Sequence, residues 1–259
     1  MTLCDRTGNR LLAGLPASEF ALLEPELELI ALDQDAVILR PGDAIEYVLF
    51  PHTGAITLMI DMADGQTVAT AAVGREGVVG TLSVLGPSLS SITAVVRAAG
   101  TASRIPASRF HAAFNRSSAI RRILQNHIKA MLIQLQIGSA CNALHPVQSR
   151  MARWLLQLSD RVDCNALPLT QQALSQILGV RRTTVTLLMR DLRARGAIKS
   201  ERRGLIEIDR ARLAAAACEC HKVMRLEAEK IFSMNSAGSR PADLPDDNRI
   251  PAIESDDAA

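Results

Sequence analysis

The chain has 259 residues, nearly half of them apolar and few aromatic, which is enough for about two domains with aliphatic cores. No apolar run approaches the roughly 18 to 20 residues needed to cross a bilayer, and the opening MTLCDRTGNRLLAG lacks the basic-then-apolar order of an export signal. The formal charge of +2 hides a division: residues 1–115 carry 7 basic against 12 acidic side chains, and residues 146–213 carry 13 against 6. Five unevenly scattered cysteines do not resemble a disulfide framework, so a reduced, cytoplasmic protein is expected.

In chain order, residues Ala17–Ala31 are predicted to be helical despite Pro25. From Ala36 to Ser108 the text breaks into short β-rich pieces: Ala36–Leu39, Tyr47–Phe50, Ile56–Met62, Thr67–Val73, Val78–Leu82 and Ile92–Ala98. Asp64-Gly65 between two of them is a hairpin signal, and the regular spacing predicts an antiparallel sandwich or barrel. Its acidic balance would repel DNA.

Phe110 to about Leu144 reads as one long helix. Leu124, Ile128, Met131 and Leu135 recur at intervals of four and three, and Gly138 continues the spacing. This stripe predicts a dimer seam; the same stripe could instead lie against the chain's own β segments. His145-Pro146 breaks the helix and marks a hinge. The sole tryptophan, Trp154, is expected in the core that follows.

The densest signal lies in 168–208. Thr170 is a good N-cap; Ala173, Leu174, Ile177 and Leu178 form an apolar stripe; Gly179 suits a sharp turn. A second helix follows with Val185, Leu188, Met189 and Leu192 inward and Gly196 at its end. Arg182, Thr183, Thr186, Leu187 and Arg190 share its opposite face. In a helix-turn-helix such a face lies in the DNA major groove. Arg182 could fork to the O6 and N7 of a guanine, with Thr183, Thr186 and Leu187 shaping base readout. Thr170, Arg181, Thr184 and Arg190 suit phosphates. Ala197–Arg202 and Leu205–Asp209 read as two strands joined at Arg203-Gly204, a wing placing Arg202 and Arg203 near the backbone. The basic excess of 146–213 coincides with this segment.

Beyond Leu213, AAAACECHKVMRLEAEKIF predicts one further helix, and Asn235–Ala259 has the composition of a disordered tail. Cys218, Cys220 and His221 suggest a metal or redox group. On a continuous helix, however, positions 218 and 220 point about 200° apart, so no metal site is expected.

Acidic β segments, long helix, hinge and winged helix-turn-helix, in this order, resemble the Crp/Fnr family of bacterial transcription regulators over about residues 15–213. TQQALSQILGVRRTTVT is the most specific stretch, and HPVQSRMARWLL and ACEC resemble a branch whose effectors are largely undefined. The resemblance implies an α+β chain. An antiparallel β-roll sensor-like domain would span 1–115, a dimerisation helix 116–145, a winged helix-turn-helix 146–213, and a C-terminal helix and tail 214–259. It also implies a homodimer on a two-fold symmetric operator, with RNA polymerase as a possible partner.

Two departures modify what the resemblance implies. The family's reading helix commonly presents Arg-Glu and another arginine one turn later; here Thr183 replaces the glutamate and Leu187 the second arginine, so a different half-site is expected. Cyclic-nucleotide-binding members use a glutamate for the ribose and an arginine for the phosphate. In VVGTLSVLGPSLSSITAVVRA those positions fall on Thr81 and Ile92, and a buried phosphate without a charged partner is costly. Cyclic AMP is therefore not expected, and Arg97 reads as a solvated strand residue. Iron–sulfur members use clustered N-terminal cysteines, whereas this chain has only Cys4 there, so a cluster is not expected either.

No P-loop, Rossmann fingerprint, His-Glu-x-x-His or Gly-x-Ser-x-Gly occurs, so an enzyme is not expected. The competing reading is a ligand-binding regulatory module that acts through protein contacts and carries a degenerate DNA reader.

Overall fold

The computed structural model describes residues 8–85, 89–202 and 204–236. A short helix α1 (Arg10–Ala13), capped by the Asn9 side chain, is followed by α2 (Ala17–Phe20) and a 3-10 turn at Glu24–Glu26. The helix expected over Ala17–Ala31 is therefore not formed. Pro25 opens the 3-10 turn, and Glu28–Leu32 becomes strand β1.

Two antiparallel sheets follow. β2 (Val37–Leu39), β3 (Tyr47–Pro51), β4 (Ala55–Asp61), β5 (Thr67–Val73), β6 (Thr93–Ala98) and β7 (Gly100–Pro106) assemble with β1 in the orders β1-β7-β3 and β2-β6-β4-β5. Gly65, at φ +81, makes the β4–β5 hairpin as Asp64-Gly65 predicts. Val78–Leu82 is not a strand: Val79 makes one isolated bridge to Leu49, and Thr81 begins a 3-10 turn. The inner faces meet through Leu32, Leu49, Ile56, Val73, Val96 and Ala102.

The expected single helix from Phe110 is two, α3 (Ala107–Arg116) and α4 (Ser118–Leu144). Ser117 between them is extended, and its hydroxyl accepts from the Ile120 amide at 3.0 Å, a side-chain cap that stops one helix and starts the next. α4 lies against its own chain. Leu124 is buried in a cluster with Leu11, Leu12 and Phe110; Ile128 packs at its margin and Met131 against the sheet core. A Cβ at Gly138 would sit 3.7 Å from the Thr70 carbonyl and 3.9 Å from Met224 Cε, so the close approach there is intramolecular. Leu124 and Gly138 are thus covered within the chain, and Met131 is half-buried against the sheet core. The stripe was correct as an apolar face, but the roll and C-terminal helix cover it. Leu135 remains exposed, joined by Leu132 one turn away.

α5 (Val147–Val162), β8 (Ala166–Pro168), α6 (Gln171–Leu178), α7 (Arg182–Ala194), β9 (Ile198–Arg202), β10 (Leu205–Ile208) and α8 (Arg210–Ala216) form the second domain, with strand order β8-β10-β9. Trp154, Leu174, Val185, Leu192 and Ile206 fill its core. That core is continuous with Met59 and with Ala55, Ala69 and Ala98 on the roll, the three alanines being small enough to let the second domain lie close to the sheet. A last helix, α9 (Cys220–Ser236), runs back along α4. The single helix expected beyond Leu213 is broken at Ala217, which is extended, so α8 and α9 are separate. The tail composition noted above falls mostly on 237–259, outside the described residues. Among the described residues no helix is long and apolar enough to cross a membrane.

Candidate nucleic-acid interface

The turn between α6 and α7 is built by local chemistry. The Thr170 hydroxyl accepts from the Ala173 amide at 3.0 Å, and Gly179 takes φ +64 while the Val180 amide bonds back to the Ser175 carbonyl at 3.1 Å. Val185, Met189 and Leu192 then anchor α7 inward. This leaves Arg181, Arg182, Thr183, Thr186, Leu187 and Arg190 exposed on one face, with Thr184 half-buried beside them. Among the described residues, Arg181, Arg182 and Arg190 have no carboxylate partner, so their charge is available to an external anion. Leu187 stands 56% exposed, an apolar projection with no intramolecular reason to be there.

The helices and wing are tied together by groups that spacing alone did not identify. The Thr186 hydroxyl donates to Gln171 Oε1 at 2.8 Å, or to the Arg182 carbonyl at 3.1 Å. Gln171 Nε2 donates to Glu201 Oε1 at 3.0 Å, and Arg193 donates to Glu201 Oε2 at 2.7 Å. Glu201 on β9 therefore fixes the wing to both helices. Arg202 closes β9, though its side chain lies outside the described residues, as does Arg203.

Arg97 is not the solvated strand residue expected. It is 5% exposed on β6. Its guanidinium meets Asp35 at 3.1 Å, Thr57 Oγ1 at 3.3 Å and Gln176 Oε1 at 3.0 Å, joining the roll to the first helix of the reading unit. Burial pulls its pKa down against the opposing pull of Asp35. β6 is interior to its sheet, α6 packs on the neighbouring β5, and Gln176 reaches across from it, so a lone arginine there is enclosed. Gln34 adds a second tie, donating to the Pro168 carbonyl at 3.0 Å.

In the roll, Thr81 opens the 3-10 turn and Ile92 precedes β6. The Gly74–Thr81 loop is closed from α4 by buried His127, whose Nε2 lies 3.1 Å from the Val78 carbonyl. A cavity of about 470 Å³ opens among β1, β2 and β3, where Asp33, Asp43 and Glu46 outnumber one cation, Arg104. That arginine is already engaged by Glu28 at 2.8 Å. A larger, mixed-charge cleft lies between β5, α4, α5 and α9. Asp160 there is held below its ordinary range: burial would raise it, but hydrogen bonds from His221 and Arg210 prevail.

An antiparallel β-roll followed by a helix-turn-helix with a wing and an unpaired cationic face defines a DNA-binding regulator. A Crp-like helix-turn-helix domain matches residues 149–216, and a cyclic nucleotide-binding domain matches residues 29–117. The fold is shared with a chain described as a Crp/Fnr family regulator from Eubacterium rectale (16% identity, 81% of this chain and 98% of that one, TM-score 0.65). It is also shared with FixK2 from Bradyrhizobium japonicum (20%, 74% and 98%, TM-score 0.63) and with the regulator CLP from Xanthomonas campestris, described as c-di-GMP responsive (16%, 74% and 99%, TM-score 0.62). Among curated protein sequences none matches. The chain belongs to the Crp/Fnr family of transcription regulators.

Proposed function

We propose that the protein is a homodimeric, sequence-specific regulator that reads a two-fold symmetric operator through α7. The observation that carries this reading is the exposed, carboxylate-free set Arg181, Arg182 and Arg190 at a helix held inward by Val185, Met189 and Leu192. Arg182 is the base reader, with Thr183, Thr186 and Leu187 setting specificity. Leu187 suits a thymine methyl, and Thr183 cannot accept from a cytosine amine as a carboxylate does. Thr170, Arg181, Thr184 and Arg190, with Arg202 and Arg203 of the wing, hold phosphates. Leu132 and Leu135, two apolar residues left uncovered one turn apart in the middle of α4, form the dimer contact, with Ile128 at its edge.

The roll acts as a sensor or scaffold for something other than a cyclic nucleotide. Thr81 and Ile92 supply neither carboxylate nor guanidinium, and the acidic lining of the β1–β3 cavity disfavours a phosphate. The protein works in the cytoplasm, catalyses no reaction, and contacts RNA polymerase where its operator demands it.

Selection of genomic fragments by the purified protein should return a symmetric motif with half-sites about one helical turn apart. On that motif Arg182→Ala should cost about 1 to 3 kcal/mol and relax one base position. Affinity should fall roughly a thousandfold or more between about 50 and 200 mM salt. An Arg182→Ala loss that is equal on all sequences would make the residue a phosphate contact. Weak salt dependence and no enriched motif would instead favour a module acting through protein contacts.

A further inference from the structure

Two cysteines expected to diverge come together. Because Ala217 is extended and α9 starts only at Cys220, Cys218 and Cys220 sit in a bend rather than on one helix. The bend lies over the C-terminal turn of α4, where His145 is the extended C-cap whose amide donates to the Cys141 carbonyl. The Sγ atoms of Cys141 and Cys218 are 3.5 Å apart, and Cys220 Sγ is 3.5 Å from His145 Nδ1. One ligand atom from each of the four residues lies within 4.8 Å of every other, and all three cysteines are buried. We propose that Cys141, His145, Cys218 and Cys220 form a four-ligand structural zinc site that pins the end of α4 to the start of α9.

The dimensions fit. Zinc–sulfur bonds of about 2.3 Å and zinc–nitrogen bonds of about 2.0 to 2.1 Å in a tetrahedron place neighbouring donors roughly 3.5 to 3.8 Å apart, so only small shifts close the site. Three thiolates and an imidazole are the donor set of a closed structural zinc centre, and they disfavour hard, oxygen-seeking cations. The surroundings are those such a centre uses. His145 offers Nδ1 to the cluster, while its Nε2 lies 3.2 Å from a Glu219 carboxylate oxygen, which fixes the tautomer and ring orientation.

Charge balance points the same way. Arg153 is 2% exposed, and among the described residues it has no carboxylate partner; its Nη1 donates to Gln157 Oε1 at 2.7 Å, and its charge faces Cys141, Cys218 and Cys220. A buried guanidinium without an anion is unfavourable. A divalent ion entering the site displaces three thiol protons to solvent and leaves a complex with a single net negative charge, which Arg153 balances. None of the four ligands falls within the matched segments 29–117 and 149–216, so neither matched domain assigns them a role. The site ties the helix end that precedes Pro146 to the segment that follows α8, on either side of the reading domain in the chain.

Zinc content of the full-length protein, produced with added zinc and kept reduced, tests this directly. About one zinc per chain is expected, released by a mercurial thiol reagent; cobalt(II) replacing it should give the intense visible bands and thiolate charge transfer of a tetrahedral site. Cys218→Ser with Cys220→Ser should abolish both signals, and Cys164→Ser, at an exposed cysteine outside the cluster, should preserve both. Wild-type protein with less than about one-tenth of an equivalent of zinc and only the pale spectrum of aqueous cobalt would overturn the site. So would unchanged zinc in the double variant. The wild-type measurement does not depend on any variant folding.

Discussion

Leu132→Asp combined with Leu135→Asp is expected to convert the protein to a monomer and to lower operator affinity by about a thousandfold at fixed salt. The two leucines are 54% and 40% exposed and lie one turn apart on the uncovered face of a 27-residue helix. Burying a leucine fully contributes roughly 1.5 to 3 kcal/mol, so four such side chains in a two-fold contact supply much of a stable interface. Four aspartates in their place would repel at short range. A monomer still offers one α7 to one half-site, but the second half-site's contribution is lost. Because both positions are solvent-facing in the isolated chain, the variant should retain wild-type circular dichroism and melting of the monomer. Sedimentation and operator titration of the same preparation check both parts. A dimeric double aspartate variant with unchanged affinity would move the contact elsewhere on the molecule.

The second large effect concerns pH. His127 is buried against the Gly74–Thr81 loop, so tightly that a Cβ at Gly77 would meet its ring at 2.9 Å. Burial pushes its pKa from 6.5 down to about 4, only partly opposed by Glu76 and by the bond to the Val78 carbonyl. Glu76 is itself engaged by Arg161 at 3.0 Å. The unfolded chain therefore takes up this proton near pH 6.5, and the folded chain only near pH 4. In that window unfolding binds a proton, so stability falls as the pH drops. From about pH 7 to about pH 5 this one residue should cost about 2 kcal/mol. Urea unfolding of wild type and His127→Gln at both pH values isolates the effect. The variant should start less stable, having lost its ring packing, but lose less on acidification. Equal losses in the two proteins would refute the assignment.

How far each feature was legible follows from how local its cause is. The cap at Thr170, the turn at Gly179 and the inward triplet Val185, Met189 and Leu192 act within a few residues, and all stand where spacing put them. The α4 stripe was legible as apolar, but periodicity carries no information about which surface covers it. Here the roll and α9 take Leu124, Met131 and Gly138, leaving Leu135 exposed with Leu132. Ser117 was readable in principle, since a serine three residues before Ile120 can cap, yet it was hidden in an otherwise continuous apolar pattern. The cysteine cluster was opaque for two reasons. An alanine run with high helix propensity gives no hint of the break at Ala217, and Cys141 lies 77 residues from Cys218. Arg97 was misread because a single charged residue in a strand usually points to water, and nothing nearby announces that another domain will cover it.

That covering has a consequence for how the protein unfolds and responds. With Arg97 reaching Asp35 and Gln176 together, and with Ala55, Met59, Ala69 and Ala98 sharing a core with Trp154 and Leu174, neither half presents a finished surface without the other. The two domains are therefore expected to unfold in a single transition, which calorimetry would read as one peak. A tilt of β6 would act directly on α6 through the Arg97–Gln176 bond, with no intermediate relay.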